Sequence, residues 1–574
     1  MSQILSALRL LVLAVSCYGY IQTVSKKIKV EFSIGITFVS IGTAMFLAGI
    51  LNILPEAAMV ICLLGVYLAV RSVLRRDEVR HLLSAGTVFF AVSCVYFFFL
   101  LHHSLFIHDD NFSHWAIAAK SILENDRFPN YSDINILFQS YPLGYASFIY
   151  YIVKIVGIPT EWMQMYAQAI LMSGICAGLF AFAKSWPQRI LTAAGCVMLL
   201  AGNMNFVELL VDTLLPITAL GAVAFCMYYR EELWEKSWWV MPYTVFLITV
   251  KNSGIFFTLV ILVYLLTKVR NPKEGKLWLV NALCPFGVLL LWQKHVKLVF
   301  DDGMMTFHSV SLEYFQKMFE KKGTEDIQTI LSAFVQKMFS FSNEVLFACI
   351  LLAALLAVMC RAGKPYRREV RELALLAGLS YLTYQAMMLG MYLFTMPVNE
   401  ATRLAEYFRY HDTILIFVSG LLLLGAVRAL EAIPGRKLWQ QAAGIVLCVL
   451  MVFYTVSPSF DSYRKQVLTE NIRGVYRMEY DALIEEYDIP SQSRYLLLVD
   501  SDCTFRTFLK YLSRYLLDPT GIDVQYTVDL TAADEILNNY DYLIAFDDTE
   551  EVMSYIAENF PGEAGQRVIR LPGE

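Results

Sequence analysis

The chain reads as an α-helical polytopic membrane protein of about 13–14 transmembrane helices, followed by a C-terminal extracytoplasmic α/β domain. Three observations predict this. First, 57% of the 574 residues are apolar and only 17% are charged, with a mean hydropathy of +0.51. An average soluble chain is about half apolar and a quarter charged. Second, the apolar residues fall in unbroken runs of about 20, the span of a membrane helix. They do not alternate over about ten residues, as membrane barrel strands do. Third, the charge is divided. From Asp461 onward 22 acidic residues face 10 basic ones, a local charge of −12, which leaves +7 on the rest of a chain whose net charge is −5. These features exclude a soluble multidomain enzyme. The 38 Phe, 33 Tyr and 9 Trp exclude a disordered chain. No basic stripe carries interleaved aromatics, so nucleic acid is not an expected partner.

In chain order, apolar runs lie near residues 4–23, 32–53, 56–74, 82–106, 161–184, 190–206, 208–228, 237–252, 254–267, 277–295, 342–360, 371–396, 411–429 and 437–457. The first lacks a basic leader and a small-residue cleavage site, so it is expected to stay as an anchor. A further run, 141–157, is short and starts at Tyr141-Pro142. Seven basic clusters punctuate the chain: Lys26/Lys27/Lys29, Arg71/Arg75/Arg76/Arg80, Lys184/Arg189, Arg230/Lys236, Lys268/Arg270/Lys273/Lys276, Arg361/Lys364/Arg367/Arg368/Arg371 and Arg428/Arg436/Lys437. All fall on the inner side if the N-terminus faces out and 141–157 does not cross. That segment is therefore expected to be a juxtamembrane or re-entrant helix, tolerated where it packs against protein. The same topology places the loops 107–140, 296–341 and 397–410, the Glu208–Asp212 turn and everything after residue 458 on the outer face. Ten of the eleven cysteines lie in or beside apolar runs, and no CxxC occurs, so neither a disulfide framework nor a zinc knuckle is expected.

The chain divides into a body, 1–458, and a tail, 459–574. In the tail Arg494–Asp500, Asp523–Val528, Tyr540–Phe546 and Gln566–Leu571 read as strands. Thr504–Leu517, Ala532–Asn538 and Val552–Asn559 read as helices. The alternation predicts a parallel or mixed sheet. No GxGxxG or GxxxxGK is present, so a nucleotide site has no support.

Four segments carry residue types suited to chemistry. His108-Asp109-Asp110-Asn111-Phe112-Ser113-His114-Trp115, continuing to Lys120, follows an aromatic-rich run. Two adjacent carboxylates repel, which raises one pKa and suits a general base beside an orienting partner. A helix cap at Asp110 or Asn111, with Trp115 in the headgroup belt, is the structural alternative. Glu208 and Asp212 stand i,i+4 inside an apolar run, where ionisable groups are costly and usually functional. A helix end protruding into water is the alternative. Lys251 is a lone outer-face cation that either snorkels or holds a phosphate. On a short helix over 399–412, Arg403, Glu406, Arg409 and Tyr410 would share nearby faces. Guanidinium forks suit phosphate oxygens, whereas a surface ion pair would be worth little. The histidines show no metal-ligand spacing, and His102-His103 reads as an interfacial pair.

These segments resemble the GT-C superfamily of polytopic glycosyltransferases, such as protein O-mannosyltransferases and lipid A aminoarabinose transferases. HDDNFSHW matches that family's acidic outer loop, and SYPLGY (140–145) its Pro-containing juxtamembrane start. VDTLLP (211–216), KNSG (251–254) and RLAEYFRY (403–410) look like segments of its bacterial members. Many members carry Asp-Glu or Asp-Asp at the start of that loop. Here the run is Asp109-Asp110-Asn111, and Asp110, closer to Phe112–Trp115, is the favoured base. The resemblance implies transfer of a sugar from a polyprenyl-phosphate donor to an acceptor hydroxyl of a glycan, lipid or protein outside the plasma membrane. Asp110 and Asp109 would be catalytic. His114, Lys120, Asp212, Glu208, Lys251, Arg403, Glu406, Arg409 and Tyr410 would bind substrate. No cofactor is required, although a divalent cation at Asp109/Asp110 is compatible with the pair. A polysaccharide polymerase or a flippase of lipid-linked saccharide is the alternative, the latter expected to show inverted repeats and broken helices.

Overall fold

The structure is a computed structural model that describes residues 2–201, 208–300, 312–340, 367–431, 466–518, 522–530 and 534–571, with single residues between 346 and 357. It is mostly helical. The helices are α1 (Ser2–Ser25), α2 (Val30–Ile50), α3 (Leu54–Leu74), α4 (Ala85–Leu101), α5 (Ala116–Asn125), α6 (Gly144–Val156), α7 (Glu161–Cys176), α8 (Trp186–Ala201) and α9 (Leu214–Tyr228). Next come α10 (Leu233–Lys236), α11 (Met241–Val250), α12 (Gly254–Leu266), α13 (Pro272–Val299), α14 (Leu312–Glu320), α15 (Thr324–Met338), α16 (Arg367–Phe394), α17 (Val398–Thr402) and α18 (Tyr407–Glu431). The last four are α19 (Ile472–Tyr487), α20 (Arg506–Leu517), α21 (Asp534–Leu537) and α22 (Glu550–Asn559). Two compact units emerge. One comprises Met1–His103, Ser121–Asn130 and Phe138–Pro458; the other comprises Ser104–Lys120, Tyr131–Leu137 and Ser459–Glu574.

In the first unit, seven helices among the described residues are long and apolar enough to cross a membrane: α1, α2, α3, α7 with its 3₁₀ extension to Phe182, α13, α16 and α18. Five of the other expected runs form shorter helices, α4, α8, α9, α11 and α12, the end of the run 190–206 lying outside the described residues. The run 342–360 lies mostly, and 437–457 wholly, outside the described residues. α2, α7 and α18 are buried, whereas α1, α3, α13 and α16 turn apolar side chains such as Leu11, Leu63, Leu290 and Leu382 outward. Apolar faces of that extent suit contact with a membrane.

The 141–157 segment forms α6, 13 residues long and buried at nearly every position. At 1.5 Å per residue it spans about 20 Å, short of the roughly 30 Å hydrocarbon core. Its partners are α2 and α7.

Among the described residues, members of the basic clusters or acidic neighbours in the same loops are linked at one end of this unit. Lys26 pairs with Asp77, and Lys236 Nζ donates to the Lys27 carbonyl at 2.9 Å. Arg230 and Lys268 both reach Glu372 at 2.9 Å. Arg428 bridges Glu369 at 2.9 Å and Glu431 at 2.8 Å, and Lys184 meets Glu431 at 2.7 Å. A cavity of about 470 Å³ opens at this end beside Arg230, Trp234 and Lys268. It holds none of the candidate residues.

At their other ends the central helices are interrupted. α11 and α12 have only 10 and 13 residues and fold back on each other about Lys251-Asn252-Ser253. Thr258 Oγ1 donates to the Thr244 carbonyl across this hairpin at 3.3 Å. Gly254 makes the hairpin possible, because a Cβ there would collide with the Leu247 carbonyl. α13, with 28 residues, is about 22 Å longer than the α12 it follows.

In the second unit a four-stranded sheet has the order β2-β1-β3-β4, from Ile522–Tyr526, Tyr495–Val499, Tyr542–Ala545 and Val568–Arg570. β1 runs parallel to β2 and β3, and β4 runs antiparallel to β3. The sheet is therefore mixed, and its four strands fall on the four expected segments. All five residues of β1 are buried, so both faces of the sheet are covered. One face packs Leu496, Leu498 and Leu543 against Val552 and Ile556 of α22. The sequence reading had no counterpart for α19, which precedes the sheet.

Candidate functional site

In the helical unit three chain breaks converge on Asp212. The segment before α9 is a turn, not the helix expected from the i,i+4 spacing of Glu208 and Asp212. Pro216, the third residue of α9, has no N–H to give and suits a helix's first turn, so the helix starts only at Leu214. Glu208 and Asp212 therefore share no helical face. Asp212 is buried, with 5% of its side chain exposed. Glu208 is buried elsewhere, lining a small cavity with Met165, Gln168 and Met172.

Lys251, at the tip of the α11–α12 hairpin, places Nζ 3.2 Å from Asp212 Oδ1. Arg409, in the first turn of α18, places Nε 3.7 Å from Asp212 Oδ2. Both cations lie over the Tyr410 ring, at 5.6 and 5.0 Å from its centroid. Arg409 Nη2 also donates to the Tyr410 hydroxyl at 3.2 Å. Glu406 reaches Arg409 Nη1 at 3.6 Å from the more exposed side. Two cations thus share one buried carboxylate, and Glu406 on the exposed side balances the remaining charge. Gly144, at the start of α6, packs on the same hairpin, where a Cβ would strike Thr249. SYPLGY therefore reaches the end of α11, two residues before KNSG.

The approach to Arg409 departs from the expected short helix. α17 ends at Thr402, and a turn follows in which Leu404 and Glu406 adopt left-handed φ of 49° and 56°. Such a conformation costs an L-residue about 1–2 kcal/mol and persists where neighbours enforce it. The neighbours here are Lys337, whose Nζ donates to the Arg403 and Leu404 carbonyls at 3.2 and 3.3 Å, and Tyr392, whose hydroxyl donates to the Ala405 carbonyl at 2.7 Å. Burial lowers the Lys337 ammonium below the usual lysine range. The turn separates Arg403 from Arg409. The Arg403 side chain is exposed and stands outside the cluster, so the expected Arg403–Arg409 pair is replaced by Lys251–Arg409.

The acidic motif lies in the second unit. Asn111–Trp115 is a π-helical turn, closed by the Ala116 N–H on the Asn111 carbonyl, that runs into α5. Single π turns are frequent at functional sites. The Asp110 N–H donates to His108 Nδ1 at 3.1 Å, and Ser113 Oγ lies 2.8 Å from His114 Nδ1. Asp109 Oδ2 accepts from Arg473 Nη2 of α19 at 3.1 Å. Trp115 is 1% exposed, so the headgroup-belt alternative is corrected: the indole is core. Lys120, expected to bind substrate, donates to the Tyr515 carbonyl at 2.6 Å. Phe112 packs against Phe508 and Tyr515 of α20, with ring centroids 5.8 and 5.2 Å away.

Arg473 went unnoticed in the sequence, and so did the supports Lys337 and Tyr392. Among the described residues no group of three or more His, Cys, Asp or Glu side chains is placed to hold a metal ion. No protein-family model matches the chain, and no curated protein matches its sequence.

Proposed function

We propose that the protein is a GT-C-type membrane glycosyltransferase that moves a sugar from a polyprenyl-phosphate donor to an acceptor hydroxyl of a cell-surface glycan, lipid or protein. The buried Asp212–Lys251–Arg409 cluster carries the reading. An ammonium and a guanidinium fork meet at one buried carboxylate, with the second carboxylate, Glu406, 53% exposed to water, and both cations are donors that match phosphate oxygens. The cluster sits at the ends of α9 and α12 away from the basic network. Along α9, 15 residues long, that separation is about 22 Å, less than the roughly 30 Å hydrocarbon core. With the basic network on the cytoplasmic side of the plasma membrane, the cluster lies near the outer interface, where a lipid headgroup is reached from the bilayer. An absent nucleotide motif accords with a lipid-borne donor.

In this reading Asp110 removes the acceptor proton as the hydroxyl oxygen attacks the anomeric carbon. The bond from that carbon to the phosphate oxygen breaks, and its electron pair stays on the phosphate. Single displacement inverts the anomeric centre. Lys251 and Arg409 stabilise the charge that grows on the departing phosphate, which favours the transition state over the ground state. The α11–α12 pair, broken at a buried lysine, also fits a transporter of lipid-linked saccharide.

Release of polyprenyl phosphate from a panel of polyprenyl-phosphate sugars tests the choice. Wild-type protein is expected to release it with one donor of the panel, and Asp110→Asn to do so about 10²–10⁴-fold more slowly. Translocation of the donor without release would establish the transporter instead.

A further inference from the structure

The residues that resemble a catalytic motif are built into the C-terminal domain. Ser104–Lys120 and Ser459–Glu574 form one compact unit although more than 300 residues separate them in sequence. Four contacts join them. Asp109 pairs with Arg473 at 3.1 Å. Lys120 donates to the Tyr515 carbonyl at 2.6 Å. Phe112 is 1% exposed and lies between the Phe508 and Tyr515 rings. The Arg477 guanidinium stands 5.9 Å from the Phe112 ring centroid and is held by Asp481 at 2.9 Å. Of these, only the Asp109–Arg473 pair touches a carboxylate of the motif. It also has a consequence for the other oxygen. Arg473 takes Oδ2, while Oδ1 is buried and has no hydrogen-bond partner among the described residues. The charge of a neighbouring carboxylate is thereby neutralised at Asp109, and the backbone that carries Asp110 is fixed one residue away.

We propose that the C-terminal domain belongs to the transfer machinery: Arg473 is a positioning residue that holds Asp109, and through it the Asp109–Asp110 pair, in its working geometry. The proposal rests on the glycosyltransferase reading for its catalytic half. Its structural half, that the tail holds the motif, stands apart from any activity. Two guanidinium groups of the tail face the motif, Arg477 at Phe112 and Arg473 at the Asp109 carboxylate.

The test uses full-length protein bearing Arg473→Gln or Arg473→Lys, with Arg494→Ala, at the exposed Asp541 pair just before the central strands β1 and β3, as the control. Hydrogen exchange across 108–115 is expected to quicken about tenfold or more in Arg473→Gln, with 495–499 unchanged, and to return toward wild type in Arg473→Lys. Release of polyprenyl phosphate is expected to fall about 10- to 100-fold in kcat in Arg473→Gln, the range for a lost hydrogen bond to a charged group. The KM for donor is expected to hold within about twofold, Arg473→Lys to recover most of kcat, and Arg494→Ala to match wild type. Unchanged exchange at 108–115 in Arg473→Gln would overturn the proposal. So would wild-type kcat in that variant, and the glycosyltransferase reading would then survive. Should wild-type protein transfer no sugar at all, that reading and the catalytic half fall together, while the exchange result still decides whether the tail holds the motif.

Discussion

The three-charge cluster makes an asymmetric prediction. Asp212 faces two cations whose side chains are only 12% and 13% exposed. At an effective dielectric of about 20, each contact of 3–4 Å is worth roughly 4–5 kcal/mol before desolvation. Asp212→Asn removes both attractions and leaves Lys251 and Arg409 repelling each other out of water. Breaking a buried pair from one side costs about 3–5 kcal/mol. Lys251→Met leaves Asp212 with Arg409 and fills the space of the lysine stem, so its cost is expected to be smaller, about 1–2 kcal/mol. The double variant restores charge balance to that of wild type and is expected to be more stable than Asp212→Asn alone. Thermal unfolding in detergent, followed with a thiol-reactive dye, reads this directly, because Cys176, Cys196 and Cys226 are buried in the same unit. The same melts separate a structural ion cluster from an anion site. Added short-chain polyprenyl phosphate is expected to raise the melting temperature of Asp212→Asn more than that of wild type, since the phosphate then supplies the missing counter-charge. It is expected to raise that of Arg409→Met least. An Asp212→Asn protein as stable as wild type, or a double variant no better than Asp212→Asn, would refute the reasoning.

Further expectations concern single positions. Arg403→Ala, at an exposed side chain outside the cluster, is expected to leave donor turnover within about twofold of wild type, whereas Arg409→Ala lowers it at least tenfold in the same release assay. Gly144→Val is expected to insert but lose most turnover, because its side chain would displace the Thr249 end of the Lys251 hairpin; fluorescence-detected gel filtration checks that the protein still folds. Asp547 lies half-buried beyond β3 and accepts from the Asp500 N–H at 2.8 Å; burial pushes its carboxyl above the usual aspartate range. A carboxyl raised by folding stabilises the fold when protonated, and that contribution is lost as pH rises through its folded value. Asp547→Asn is therefore expected to slow hydrogen exchange in β1 and β3 at pH 7, with the advantage vanishing in acid.

What the amino acids announced, and what they concealed, follows from the range of the forces involved. In the tail β1 and β3 were readable as short apolar runs bounded by polar turn residues, and β2 by the alternation of Asp523 and Gln525 with Val524 and Tyr526. The meeting of the described basic loops at one end followed from one charge rule applied to short loops. The buried α6 was signalled by Pro142 and its length. A turn at Glu208–Asp212 was expected from the topology, but the start of α9 was set too early because Val211 and the leucines around Asp212 continue the apolar run, and only Pro216 hinted at a later start. The turn at Arg403–Glu406 was hidden more deeply. Leu404 and Glu406 take left-handed φ with no glycine or asparagine to advertise it, and the carbonyl contacts that enforce it come from Lys337 and Tyr392 on other helices. Lys251 and Arg409 were each singled out, but neither position indicated that both would close on Asp212. The Asp109–Arg473 pair, 364 residues apart, had no local signature at all.

The central claim is that a polyprenyl phosphate is held by the cations of the helical unit. A cryo-electron microscopy map of the full-length protein with short-chain polyprenyl phosphate tests it without knowledge of the sugar. The account predicts phosphate density within hydrogen-bonding distance of Lys251 Nζ and the Arg409 guanidinium, with Asp212 drawn back from at least one of them. A lipid phosphate bound elsewhere, with Lys251 and Arg409 still closed on Asp212, would contradict it.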